Sequence, residues 1–134
     1  MDQKTKDLIM SVQAKNRFTQ HNYYELETLE QDHVVYKLDI REESRNLRGM
    51  VHGGMLMAMA DDAAGCAAHT DGRNYVTQNA TLHFLKNQHS GVIRADGRVR
   101  RRGRMTCLSQ VDIINEKGDL LATGEYCYFC IDNK

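Results

Sequence analysis

Two adjacent aspartates lie inside the most apolar segment of the chain. Asp61 and Asp62 interrupt residues 55–68, which otherwise consist of Met, Leu, Ala, Gly and Cys. An ionised carboxylate in apolar surroundings is costly unless it is paired or hydrogen-bonded, so each aspartate needs a partner or a function. The alternative is that the helix is less buried than its composition indicates and that the acid is solvated. Solvation explains one of the two aspartates more readily than it explains both.

The same segment is rich in strong helix formers and lacks β-branched residues, which predicts a helix over residues 55–68. At about 100° per residue, Asp61 shares a face with Ala64 and Gly65, whereas Asp62 points about 100° away. The small neighbours would leave room beside the Asp61 carboxylate.

Two glycines, Gly53 and Gly54, directly precede this helix and follow His52. The start of a helix leaves backbone N–H groups without internal partners and carries the positive end of the helix dipole, so it can hold a developing negative charge. Glycine allows a ligand to approach that backbone closely. The alternative is that the glycines only make the tight entry into the helix.

These residues form one spaced pattern, Asn46-x-x-Gly49-x-x-His52-Gly53-Gly54, followed nine residues after the His by Asp61. The pattern resembles that of the hotdog-fold acyl-CoA thioesterases, most closely the branch containing the phenylacetic-acid-pathway thioesterase. The resemblance extends over about residues 34–131. It implies an α+β hotdog fold and the hydrolysis of an acyl-CoA thioester to free acid and coenzyme A.

The resemblance also implies roles for individual residues. Asp61 would be the catalytic carboxylate, acting as a general base on water or as a nucleophile. The backbone N–H of Gly53, with Gly54 helping, would polarise the thioester carbonyl as an oxyanion donor. Asn46 would orient the lytic water or the thioester, and His52 would hold the loop by hydrogen bonds.

Further implications concern the substrate and the assembly. Thr77 resembles a Ser or Thr that assists the water, and Gly54 and Gly65 would line the substrate. In this family the carboxylate and the oxyanion donor come from different subunits, which implies at least a homodimer and commonly a homotetramer. A thioester needs no Ser-His-Asp set, and the sequence has no Gly-x-Ser-x-Gly motif. We expect no cofactor, since coenzyme A is part of the substrate.

The strongest charge feature lies between Lys86 and Arg104, where seven basic residues and one acid give a net charge of +6. Because side chains alternate along a strand, Arg98, Arg100 and Arg102 are expected on one face. Guanidinium groups suit phosphate oxygens, so Arg100 and Arg102 are candidate ligands for the phosphates of coenzyme A. The alternative is a solvated strand face whose charges discourage edge pairing.

Composition excludes other classes. The 134 residues carry 18 basic and 18 acidic side chains, which argues against a dedicated nucleic-acid-binding domain. No apolar stretch reaches the ~20 residues of a membrane span. No signal peptide is visible, which predicts a cytoplasmic protein with reduced cysteines. Cys127 and Cys130 have no second ligand pair, so we expect no metal site.

Periodicity predicts the elements that must position these residues. We expect a single domain over residues 1–134, in which residues 1–20 form a helical extension with a short helix over 5–18. A hairpin is expected over 23–40, followed by a loop over 41–48 and the central helix. Three segments with strand character (75–85, 92–102 and 105–114) and a last strand over 120–131 complete an antiparallel sheet of five to six strands around one central helix.

Two rival functions use the same fold. The first is a non-catalytic acyl-CoA-binding or regulatory protein, against which the intact Asp61 and Gly53 argue. The second is an acyl-thioester dehydratase, which would need a catalytic His paired with an acid in a different motif, and His52 beside two glycines is more similar to the thioesterase loop. Folds host several functions, so the site must decide.

Overall fold

The computed structural model describes residues 1–132, in which six strands form one antiparallel sheet. The elements are α1 (Gln3–Ala14), α2 (Arg17–His21), β1 (Tyr24–Glu30), β2 (His33–Asp39), α3 (Gly53–His69), β3 (Tyr75–Phe84), β4 (Val92–Arg102), β5 (Thr106–Asn115) and β6 (Leu120–Cys130). The strand order is β1-β2-β4-β5-β6-β3. The predicted α+β class, the central helix and the antiparallel sheet are confirmed.

Helix α3 packs across the sheet and contacts all six strands. Its buried face carries small and flexible side chains such as Met59, Ala60 and Ala63. On β4, a Cβ added to Gly97 would lie 2.6 Å from the backbone carbonyl of Ala63, closer than real Cβ contacts allow. The helix backbone therefore rests directly on this strand, and the close approach depends on the glycine.

The predicted short N-terminal helix is confirmed as α1, although it spans Gln3–Ala14 and not residues 5–18, and a second short helix, α2, follows it. The side-chain oxygen of Asn16 accepts hydrogen bonds from the backbone N–H groups of Phe18 and Thr19, at 3.1 and 3.3 Å, and so begins α2. No residue of α1 is buried. Helix α1 therefore lies on the domain surface.

Strand β3 forms one edge of the sheet, pairing with β6 on one side only. Most of its residues are exposed, including the whole run from Val76 to Thr81. A long edge strand presents backbone donors and acceptors that can pair with another chain.

Strand β4 contains a bulge that alters the arginine pattern. Val99 lies opposite Ser109 and Arg101 opposite Leu108, so Arg100 is the extra residue on this strand. The prediction that Arg98, Arg100 and Arg102 share a face is therefore wrong.

No helix among residues 1–132 is long and apolar enough to cross a membrane.

Candidate active site

The loop before α3 is organised by one side chain. The Oδ1 of Asn46 accepts hydrogen bonds from the backbone N–H groups of Arg48, at 2.9 Å, and Met50, at 3.2 Å. Gly49 has a φ of +80°, a left-handed conformation that favours glycine. Asn46 thus holds the loop in a compact turn, whereas the resemblance assigned its side chain to the water or the thioester.

A second segment, residues 87–89, supports this loop. The side-chain amide of Asn87 donates to the carbonyl of Val51 at 2.9 Å, and the N–H of Val51 donates to the carbonyl of Gln88 at 3.3 Å. The Nδ1 of His89 lies 2.7 Å from the carbonyl oxygen of Gly49. The loop that leads into α3 is therefore fixed on both sides before any ligand arrives.

His52 is the N-cap of α3. Its Nδ1 accepts a hydrogen bond from the N–H of Gly54 at 2.8 Å, and its own N–H donates to the carbonyl of Ser44 at 2.8 Å. The N–H of Gly54 is therefore already used. The N–H of Gly53 has no acceptor among residues 1–132. At this helix end, Gly53 supplies a free donor at the positive pole of the dipole.

Asp61 receives two hydrogen bonds at one oxygen. The hydroxyl of Tyr128 lies 2.8 Å from Oδ1, and the hydroxyl of Thr77 donates to the same atom at 3.0 Å. The Tyr128 hydroxyl also lies 2.9 Å from the backbone carbonyl of Asp61. Among residues 1–132, no hydrogen bond engages Oδ2. Asp61 is thus held by one oxygen, while the other is open to a reactant.

Sequence reasoning missed Tyr128, although strand pairing places it directly across from Thr77. Burial and the neighbouring Asp61 charge raise the pKa of the Tyr128 phenol, so it stays a donor at neutral pH. A Cβ added to Gly65 would lie 3.1 Å from the Tyr128 ring. Gly65 therefore makes room for the tyrosine that positions Asp61.

The neighbouring Asp62 has a different environment. Its Oδ2 accepts a hydrogen bond from the hydroxyl of Tyr24 at 2.5 Å. Burial raises the pKa of Asp62 to about 6, and the charge of Asp61 acts in the same direction. Both aspartates therefore have partners, and neither is simply solvated.

Asp61 and Asp62 line one cavity of about 320 Å³, together with Gly65, Cys66 and Tyr128. Burial raises the pKa of the Cys66 thiol to about 12, so this cysteine remains protonated at neutral pH and is not a nucleophile. Asp61 and Asp62 each have one carboxylate oxygen without a hydrogen bond among residues 1–132, but only Asp61 is held by two hydroxyl groups, those of Tyr128 and Thr77. These carboxylates are the groups in the cavity that can accept a proton or attack a carbonyl.

The structure separates the predicted residues into two groups. Asp61, Gly65 and Thr77 lie together, and Asn46, His52, Gly53 and Gly54 lie at the start of α3. Gly53 and Asp61 are eight residues apart on one helix, which corresponds to about 12 Å along its axis. One thioester carbonyl cannot contact both groups of the same chain.

The two candidate phosphate ligands also differ. Arg102 turns inward, where its guanidinium lies 2.7 Å from Asp32 and 2.8 Å from Asp71 and donates to the carbonyl of Ala68 at 2.8 Å. Arg100 is exposed and donates to Gln110 at 2.8 Å. Arg102 therefore holds the end of α3, and the exposed Arg100 is the arginine of this pair with access to a ligand.

Residues 1–132 contain no cluster of three or more His, Cys, Asp or Glu that could hold a metal ion.

Comparison with known proteins places the chain in a family. The model of the thioesterase superfamily matches residues 48–122, which include α3, Gly53 and Asp61. The chain belongs to the thioesterase superfamily and is thus a thioester hydrolase.

Particular relatives agree with this assignment. The acyl-coenzyme A thioesterase PaaI of Escherichia coli is 25% identical over 96 residues, which cover 71% of this chain and 69% of that protein. The solved structure of E. coli PaaI, from the phenylacetic acid degradation operon, superimposes with a TM-score of 0.91 at 20% identity, covering 98% and 96% of the two chains. The fold is therefore the hotdog fold.

A second solved structure adds a ligand. A hypothetical thioesterase from Streptococcus pneumoniae, solved with coenzyme A, is 28% identical to this chain. The match has a TM-score of 0.78 and covers 83% of this chain and 88% of that chain.

Proposed function

We propose that the protein hydrolyses acyl-CoA thioesters to free acid and coenzyme A, with Asp61 as the catalytic residue. The observation that carries the proposal is the Asp61 carboxylate, which Tyr128 and Thr77 bind at Oδ1 while Oδ2 has no hydrogen bond among residues 1–132. A carboxylate fixed in this way points its open oxygen in a defined direction.

The chemistry follows from this arrangement. As a general base, Oδ2 takes a proton from water while the water oxygen forms a bond to the thioester carbon. Negative charge then develops on the carbonyl oxygen, and the free N–H of a Gly53 can stabilise it. When the tetrahedral intermediate collapses, the carbon–sulfur bond breaks and coenzyme A leaves as a thiolate. If Asp61 is instead the nucleophile, Oδ2 forms the bond to the carbonyl carbon, the carbon–sulfur bond breaks and coenzyme A leaves as a thiolate. Water then cleaves the resulting anhydride to the free acid and the Asp61 carboxylate.

The separation of about 12 Å between Gly53 and Asp61 on one helix supports a site shared between two chains. The exposed edge of β3 offers a pairing surface for a second copy, and Thr77 lies on this same strand. In the homodimer we propose, Gly53 of the partner subunit faces Asp61, and each dimer has two such sites. A homotetramer made of two such dimers is the assembly that the family resemblance implies.

Two features of the pneumococcal relative support the choice of residues and substrate. Its structure holds coenzyme A. Structures were also solved with an aspartate or a threonine replaced by alanine, at positions sixteen residues apart, which is the separation between Asp61 and Thr77. For the phosphates of coenzyme A we propose Arg100 as a ligand, since Arg102 is bound to the end of α3.

The proposal is tested by measuring thiol release from a panel of aryl- and fatty-acyl-CoA substrates. Asp61→Asn keeps the shape of the side chain but removes the base, and we expect turnover to fall by about 10²- to 10⁴-fold. Asp62→Asn is the matched control on the adjacent residue and should lose far less. If Asp61→Asn releases thiol at the wild-type rate, the proposed mechanism is wrong; acyl-CoA binding without any turnover would favour a regulatory protein.

A further inference from the structure

A second cavity, of about 500 Å³, lies between helix α1 and the end of α3. It adjoins the cavity of Asp61, because Gln13, Cys66 and His69 line both. A group that enters beside Asp61 therefore meets these three side chains at the boundary with the space beneath α1. We call this second cavity the α1 groove.

One wall of the α1 groove is apolar. Leu8, Ile9 and Val12 of α1 line it. Leu8 is 63% exposed and Val12 is 56% exposed, so the protein does not use these side chains to complete its own core. Their positions on the helix place them on one side, as in an amphipathic helix, but the groove they face is open.

The polar side chains at the junction between the two cavities each make at least one hydrogen bond within residues 1–132. The Nδ1 of His69 lies 2.7 Å from the carbonyl of Gly65, and its Nε2 accepts the N–H of Tyr75 at 3.3 Å. Gln13 accepts a hydrogen bond from the Tyr36 hydroxyl. Burial keeps the Cys66 thiol neutral by raising its pKa to about 12. These groups suit a passing hydrocarbon better than a charged or polar one.

The guanidinium of Arg73, at the rim of the groove, also has partners. Arg73 donates to Asp71 at 2.8 Å and to the carbonyls of Gly103 and Arg104 at 3.0 and 2.7 Å. Helix α1 is capped at its start, where Asp2 accepts the N–H of Thr5 at 2.8 Å, and is joined to β2 near its end, where Gln13 accepts a hydrogen bond from Tyr36. The wall is thus formed before a ligand binds.

We propose that the α1 groove binds the aliphatic chain of a fatty acyl-CoA, with the thioester at Asp61 and the chain extending past Cys66 to Leu8 and Val12. This inference rests on the proposed function and adds a substrate class to it. The volume of the groove and its position next to the catalytic cavity support a linear chain of several methylenes, longer than an acetyl group.

The test uses both binding and turnover. Calorimetry with non-hydrolysable S-alkyl-CoA thioethers of two to ten carbons measures the dependence of Kd on chain length, and the matching thioesters measure kcat/KM. For the wild type we expect Kd to tighten by about fourfold for each methylene buried in the groove.

The variants change the wall of the groove. The double variant Leu8→Asp, Val12→Asp should make Kd independent of chain length, since it places carboxylates along the path of the chain. Leu8→Trp should fill the groove and shift the preferred length to shorter chains. Met10→Asp is the matched control, because Met10 is 50% exposed and lies roughly opposite Val12 on α1; it should bind as the wild type does.

The outcomes separate this inference from the proposed function. A Kd that depends on chain length equally in the wild type, the double variant and Met10→Asp would overturn the groove assignment. So would a wild-type Kd that does not change with length, as expected if a second copy of the chain fills the groove. If chain-length-dependent binding occurs without hydrolysis of any thioester, the groove assignment holds and the proposed function fails.

Discussion

The two ends of helix α3 are built in opposite ways. At the start, the N–H of Gly53 has no acceptor among residues 1–132, although the surrounding loop is tightly held. At the other end, Arg102 donates to the carbonyls of Ala67 and Ala68, and Thr70 also donates to Ala67 at 2.7 Å. Both ends of a helix expose unpaired backbone groups. In this protein the backbone groups at one end are bonded by side chains, and the other end keeps a free N–H, which we propose binds the oxyanion.

The largest effect is expected at the open end. Gly53→Pro removes the free N–H at the first helical position, which proline tolerates well, and His52 already has the extended ψ of 133° that a following proline prefers. Loss of an oxyanion donor should lower kcat by about 10²- to 10³-fold.

Gly53→Ala is the control for this prediction. It keeps the N–H, and its Cβ would lie 3.7 Å from the Phe84 ring, an ordinary contact. Kinetics with one acyl-CoA substrate should show activity close to wild type for Gly53→Ala. Equal activities of the Pro and Ala variants would mean that the open end does not bind the oxyanion.

A smaller effect, on stability and not on chemistry, is expected at the closed end. Arg102→Met removes the ion pairs with Asp32 and Asp71 and the donors to the helix carbonyls, so the free energy of unfolding should fall by about 2 to 3 kcal/mol. Arg100→Met changes the exposed arginine of the same strand and should cost less than about 0.5 kcal/mol. Urea unfolding at a fixed protein concentration measures both; similar losses would contradict the contrast between the ends.

The smallest effect concerns Asp62, midway between the ends. Its pKa in the folded protein, about 6, lies above that of an unfolded aspartate, so the folded state binds more protons in this interval. Its contribution to stability is therefore complete below about pH 4 and is lost as the pH rises through 6. Asp62→Asn should raise the free energy of unfolding by about 2 kcal/mol at pH 7.5, with little change at pH 4. A difference between the two proteins that does not vary with pH would refute this assignment.

Much of the fold could be predicted from the sequence. The helix formers of residues 55–68 located α3, and the hairpin turn and later strands lie close to their predicted positions. The bulge at Arg100 could not be predicted, because it depends on how β4 pairs with β5. The order of polar and apolar residues along β4 does not reveal it. The break before α2 did have a signal in Asn16, a residue suited to an N-cap.

Sequence reasoning identified candidate site residues only where the signal lies within a short segment of the chain. Asp61 stood out as an acid in an apolar helix, and the structure places the Thr77 hydroxyl within hydrogen-bond distance of it. The role of Thr77 in assisting the water stays a prediction. Tyr128 was missed, because its contact with Asp61 joins residues 67 positions apart and an aromatic residue in a strand is ordinary. The use of the Gly54 N–H by His52 depends on a side-chain rotamer, which spacing does not reveal.

The central claim is that Asp61 of one chain acts with Gly53 of the partner subunit, and mixing two inactive variants tests it most directly. Asp61→Asn and Gly53→Pro chains are unfolded together, refolded at equal concentration and assayed for thiol release from acyl-CoA. In a mixed dimer one site combines the intact Asp61 of one chain with the intact Gly53 of the other. Random pairing should therefore restore about a quarter of wild-type activity. If the mixture is no more active than the two variants separately, both groups act within one chain and the account is contradicted.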